Sequence, residues 1–205
     1  MKLIILAAAA TFAAGAAAQQ PDCAADPASP DWREVATEDD RERLREWRAA
    51  FIRSLEQARA AGHAAEVAQE GAVLEPDAAL GGAIPNGEYR CRVIKVGARS
   101  EGLLDYITYP AFRCRISQQG NLQHFEKLSG SQRHHGTIYP ADQLRPVFLG
   151  TMVLGDETIA YQYGRDRERD LAGWVERIGD ARWRLVFPYP HYESTLDVIE
   201  LVPTN

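Results

Sequence analysis

The chain has 205 residues, 29 acidic against 23 basic side chains, a formal charge of −6 and 45% hydrophobic residues. That length and apolar content suit one core-forming domain with an appendage, and exclude a disordered or fibrous chain. The acidic balance argues against general binding to nucleic acid or anionic membrane.

The first eighteen residues carry one positive charge at Lys2, then an uncharged stretch from Leu3 to Ala18 that ends in Ala16-Ala17-Ala18. This is the layout of a cleavable secretory signal peptide over 1–18, with cleavage expected after Ala18. The stretch is shorter than the roughly 20 residues of a spanning helix, and no later segment is apolar enough to cross a bilayer. Cys23 follows Gln20-Pro21-Asp22, not the small apolar tripeptide of a lipoprotein. The mature chain would have 187 residues and a charge of −7, with 22 basic residues against 29 acidic ones. It is expected in an oxidising compartment, periplasmic or secreted. Its positive charge is nearly all arginine, lysine remaining only at Lys95 and Lys127, as a GC-rich genome would produce.

Residues 19–36, with Pro21, Pro27 and Pro30, read as an extended leader, and 37–74 as a helical segment. Thr37 is suited to cap a helix, with Glu38, Asp39 and Asp40 in the first turn where the helix dipole favours anions. Leu44, Trp47, Phe51, Leu55 and Ala58 fall on one helical stripe, and Gly62 closes it. The pattern predicts one helix of about 24 residues, roughly 36 Å long. A shorter helix is expected over 63–69, and the stripe is expected to pack on the protein's own core.

A loop over 75–87, rich in Gly and Pro, separates this segment from a β domain over 88–205. Strands are predicted at 88–96, 103–109, 111–117, 122–128, 146–154, 158–163, 172–178, 182–187 and 195–202. So many short strands with short connections predict an antiparallel meander. Such a sheet removes its edges by closing, so the fold class is mainly β with an N-terminal helix, a small closed lipocalin-like barrel. A β-sandwich is the alternative.

Tyr89-Arg-Cys-Arg-Val93 and Phe112-Arg-Cys-Arg-Ile116 nearly repeat each other, and alternation along a strand puts both cysteines on the core face. Cys91 and Cys114 are therefore expected to form a disulfide, although the third cysteine, Cys23, leaves an odd count in which it could be free, pair between molecules or displace one partner. Arg90, Arg92, Arg113 and Arg115 then share the opposite face, where like charges repel unless carboxylates answer them. Unanswered, they would be a surface for an anionic partner.

A two-residue turn at Gly179-Asp180 would pair Glu176 with Trp183 and Trp174 with Leu185. On that register Trp174, Glu176 and Trp183 face the core, and Glu176 is either a buried ion pair or part of a ligand cavity. Ser129-Gly-Ser-Gln-Arg-His134-His135 collects hydroxyls and imidazoles but lacks the strand–turn–helix setting of a nucleophile elbow, and reads as a polar loop. Its adjacent histidines would point apart on a strand, which is no metal-ligand spacing. No Gly-rich phosphate loop, CxxC pair or HExxH is present. No cofactor or metal is expected.

The motifs Asp31-Trp-Arg33, Asp40-Arg-Glu-Arg-Leu-Arg-Glu-Trp47, Tyr89-Arg-Cys-Arg-Val-Ile-Lys95 and Gly102-Leu-Leu-Asp-Tyr106 stand in one order with Lys127-Leu-Ser-Gly-Ser-Gln-Arg133, Val147-Phe-Leu-Gly-Thr151, Gly173-Trp-Val-Glu-Arg-Ile-Gly179 and Leu196-Asp-Val-Ile-Glu-Leu-Val-Pro203. Together they resemble the exported bacterial family known as domain of unknown function 4893, over essentially the whole mature chain. The resemblance brings no activity and no catalytic residues. The expected role is a binding or interaction protein, with a small apolar ligand in the barrel or an envelope partner on its surface. The alternative is a hydrolase using Glu176 or the Ser129–His135 loop. Binding is favoured because no motif arranges a nucleophile, a base and an orienting group.

Overall fold

A computed structural model describes residues 29–204; the segment 1–18 expected to be a signal peptide, most of the expected leader and Cys23 lie outside the described residues. Four helices come first: α1 (Trp32–Val35), α2 (Glu38–Arg45), α3 (Trp47–Ala60) and α4 (Ala64–Gln69), then a 3₁₀ turn, Gly71–Leu74. Nine strands follow: β1 (Gly87–Ala98), β2 (Tyr106–Thr108), β3 (Phe112–Gln119), β4 (Leu122–Lys127), β5 (Gln132–Tyr139), β6 (Val147–Leu154), β7 (Asp170–Gly179), β8 (Arg182–Pro188) and β9 (Ser194–Pro203).

Thr37 caps α2 as predicted, its Oγ1 accepting from the Asp40 amide at 3.2 Å. The expected single long helix is interrupted at Glu46 (φ −88°, ψ 8°). The break is local, because Glu46 N–H still bonds Glu42 O and Ala50 N–H still bonds Glu46 O, each at 3.0 Å. Gly62, at φ 99°, ends the helical run. The leader is not extended throughout: α1 is one helical turn that buries Trp32.

All strand pairs are antiparallel. β1, β3, β4, β5, β6, β7, β8 and β9 pair in that order, and β1 pairs β9, which closes an eight-stranded barrel. β2 is an addition outside the ring, on the second half of β1. Two segments depart from the predicted strands. Gln132–Tyr139, read as polar loop in its first half, is β5. Its inward residues are His134, Gly136 and Ile138, too weakly apolar to advertise a strand. The stretch 158–163 is not a strand, and Ile159 and Tyr161 are exposed.

Gly136 and Gly150 face each other across β5 and β6. A Cβ on either would lie under 3.0 Å from the other strand's backbone and from the Phe148 ring. The glycine pair is what lets that ring lie across the inner wall. Phe148 stands edge-on to Phe125 and Phe187, at 5.8 and 5.7 Å. With Tyr89, Trp183, Leu185, Ile199 and Leu201 these rings fill the interior. Ile84, from the loop before β1, is buried with them.

The helices lie on the outside of the barrel. Phe51, Leu55 and Ala58 of α3 pack on Ile94, Val96, Val186 and Val198. Leu44 of α2 and Trp32 pack on Val147, Leu149 and Ala172. This second, external core explains why β6 to β9 are largely buried on both faces. Among the described residues no helix is long and apolar enough to cross a membrane.

Candidate functional site

The disulfide joins Cys91 to Cys114, with Cα atoms 5.9 Å apart, on the inner face of β1 and β3. The arginines beside them divide. Arg92 is gripped by two carboxylates: its Nη1 donates to Glu70 Oε1 at 2.7 Å and its Nε to Glu200 Oε2 at 3.0 Å. Burial alone would lift Glu70's carboxyl, but hydrogen bonds from Arg92 and the Tyr106 hydroxyl outweigh it and hold it low. Arg115 meets Glu88 at 2.6 Å in an exposed pair. Arg90 and Arg113 stand opposite each other on the surface, and among the described residues neither has a carboxylate within ion-pair reach.

The β7–β8 hairpin corrects the predicted register. The turn holds a bulge between Arg177 and Gly179, so Glu176 pairs with Arg184 and Trp174 with Val186. One residue of slip exchanges the faces of a strand. Trp183 alone of the predicted trio points inward, edge-on to Tyr89 at 6.2 Å. Trp174 points out beneath α2, its indole N–H donating to Leu44 O at 3.1 Å. Glu176 also points out, under α3, with no exposed surface. It accepts from Arg184 Nε at 2.7 Å and from Arg145 Nε at 2.5 Å. Arg184 in turn donates to Ala72 O and Val73 O, tying the 3₁₀ turn to the barrel. Trp174, Glu176 and Trp183 therefore line no common cavity, and the buried carboxylate is an ion pair.

The interior opens at the other end. A cup of about 390 Å³ lies at the mouth of the barrel. Val93, Tyr109 and Phe112 line it on one side; Lys95, Lys127, His134, Glu193 and Asp197 supply its polar groups. Gly130 and Gln132, from the segment read as polar loop, form its rim. His134, buried, has its ring 5.0 Å from that of Phe187, next to the aromatic stack. Burial, then the nearby ammonium groups of Lys127 and Lys95, push its imidazole down to about 3, so it is neutral.

The two lysines differ. Lys95 is matched: its Nζ is 3.0 Å from Asp197 and 3.2 Å from Glu193. Burial works against its charge, but the two carboxylates prevail and hold it above the ordinary lysine range. Burial lifts Asp197 too, so the pair persists by mutual attraction against the cost of desolvating both. Glu193 reaches in from a left-handed backbone at φ 64°, an uncommon conformation for a residue with a side chain. Lys127 has no such partner. Its Nζ donates to Gln132 O at 2.7 Å and sits 3.7 Å above the Phe112 ring, and among the described residues no carboxylate lies within ion-pair reach. Burial, then Arg133 and Lys95, push it down to about 8. Gly130, at φ 91°, makes this seat possible: a Cβ there would be 2.8 Å from Lys127 Nζ.

No sequence motif announces this cup. Its signal was the placement of the last two lysines, both at inward positions near strand ends.

Residues 32–201 match the family model of a domain of unknown function, DUF4893, and the chain belongs to that family. Neither the curated proteins nor the solved structures contain a match to it.

Proposed function

We propose that this family member is an exported binding protein whose barrel mouth takes a small organic anion, a carboxylate or phosphate monoester with an apolar or aromatic body. The observation that carries the reading is Lys127, a buried ammonium with no carboxylate in ion-pair reach among the described residues, in a cup lined by Phe112, Tyr109 and Val93. A bound anion would supply the missing counter-charge, and the rings would cover its body. The volume of about 390 Å³ lies within the range of small-molecule sites. The wholly apolar ligand expected from the sequence suits this cup less well, because its polar groups would be left facing hydrocarbon. The hydrolase alternative loses its proposed acid, since both oxygens of Glu176 are taken by arginines. Export rests on the pattern of residues 1–18, and the internal disulfide supports it, because such bonds persist in oxidising compartments.

The test is calorimetric titration of the mature chain with octanoate beside octanol. Octanoate is expected to bind, to weaken at least about 10-fold on Lys127→Met, and to release as pH rises through 8 and Lys127 loses its proton. Equal affinity for octanol, or unchanged octanoate binding in the variant, would overturn the reading. Native mass spectrometry of protein from its own host would then identify the physiological ligand.

A further inference from the structure

The outer wall of the barrel carries a separate convergence of ligating groups. β4 and β5 are antiparallel neighbours, with Glu126 opposite His135 and His124 opposite Thr137. His124 and Glu126 are two residues apart on one strand, so they share the outer face with His135. His124 Nε2 lies 3.4 Å from His135 Nδ1 and 3.8 Å from Glu126 Oε1. His135 Nδ1 lies 3.5 Å from the same Oε1. Three donor atoms thus form a nearly equilateral triangle.

A tetrahedral zinc ion with bonds of about 2.0–2.1 Å sets its ligand atoms about 3.4 Å apart. The triangle meets that spacing within a few tenths of an ångström. Two imidazoles and a carboxylate are also the right donors for a borderline divalent ion rather than for magnesium or calcium, which prefer all-oxygen sites. Two of the ligands sit on one strand and the third on its hydrogen-bonded neighbour, so the geometry is fixed by the sheet. His124 is buried, while Glu126 and His135 are partly exposed and border a surface trough of about 770 Å³. Lys127, Arg133, His134, Val153, Glu157 and Ile159 are among the other residues that line that trough.

We propose that His124, Glu126 and His135 form a three-ligand site for a divalent transition metal, zinc foremost, with the remaining coordination position open to the trough. The doublet His134-His135 points apart, as its strand position dictates. His134 enters the barrel and His135 leaves it, and the metal partners of His135 come from the neighbouring strand. The ligand pattern is therefore His-x-Glu on one strand with a histidine on the next.

The test is zinc titration of the tag-free mature chain after chelator treatment, followed by cobalt substitution. One equivalent of zinc is expected at micromolar affinity or better, magnesium should not compete, and cobalt should give the visible absorption of a four- or five-coordinate ion. His135→Gln and Glu126→Gln, at partly exposed positions, should each weaken zinc by about 100-fold while leaving the metal-free Tm unchanged. Tyr109→Ala, which alters the mouth pocket and not the trough, should leave zinc binding intact, which separates the two sites. Millimolar affinity in the wild type, or full affinity in both ligand variants, would overturn the proposal.

Discussion

The helix-covered outer wall and the barrel mouth each bury charge, and they treat it in opposite ways. Under α3, Glu176 is matched on both oxygens, and Arg184 Nη1 donates to two backbone carbonyls of the 3₁₀ turn. At the mouth, Lys127 is buried with one carbonyl and one ring for company. A saturated buried charge specifies which surfaces dock and leaves nothing for a ligand to do. An unsaturated one lowers the stability of the empty protein and gives an incoming anion something to gain. Burial alone does not mark a site; burial without a partner does.

The largest test of this contrast is Glu176→Gln. Removing the carboxylate charge leaves Arg184 and Arg145 uncompensated beneath the helices, with an expected loss of about 3–5 kcal/mol in urea unfolding. A loss under about 1 kcal/mol would show that the outer pair is not the anchor described here. Next is the acid response of His134. Its folded value of about 3 lies below the ordinary 6.5, so the unfolded chain binds the extra proton between those limits. Stability should therefore fall as pH drops below 6.5, by up to about 1.4 kcal/mol per unit from this residue. His134→Leu should flatten that part of the stability–pH curve. The smallest effect has the opposite sign. Lys127→Met should raise Tm at neutral pH by about 3 °C. The folded value of Lys127, about 8, lies below its ordinary 10.5, so its destabilising effect is full below pH 8 and is relieved as pH rises toward 10.5. The gain from Lys127→Met should shrink over the same window. A drop in Tm at neutral pH would mean that Lys127 is as well matched as Lys95.

Much of the scaffold was legible because it rests on local rules. Thr37 capping α2, Gly62 ending the helical run and the alternation that turns Cys91 and Cys114 inward each depend on neighbours in sequence. The failures share another cause. The bulge between Arg177 and Gly179 adds a residue that no turn signature announces, and it sent Glu176 to the wrong face. β5 was hidden because His134 and Gly136 occupy inward positions that usually show an aliphatic side chain. Gly136 is there for the Phe148 ring, a requirement set by the neighbouring strand. The mouth pocket and the His124–Glu126–His135 triangle both depend on which strands lie side by side. Spacing within one strand carries only part of that information: His124 and Glu126 stand two apart on one strand, but nothing local pairs them with His135.

The seam between β1 and β9 also sets an order in time. It joins Cys91 to the level of Leu201, over a hundred residues along the chain. Cys91 and Cys114 are only 23 residues apart. A chain emerging from its N-terminal end can therefore cross-link β1 to β3 long before β9 exists to complete the ring. Until β9 arrives, β1 keeps a row of unpaired backbone groups, the kind of edge on which chains aggregate. A lesion in Ser194–Pro203 would then do its harm during folding, by prolonging that exposure, as much as by weakening the finished barrel.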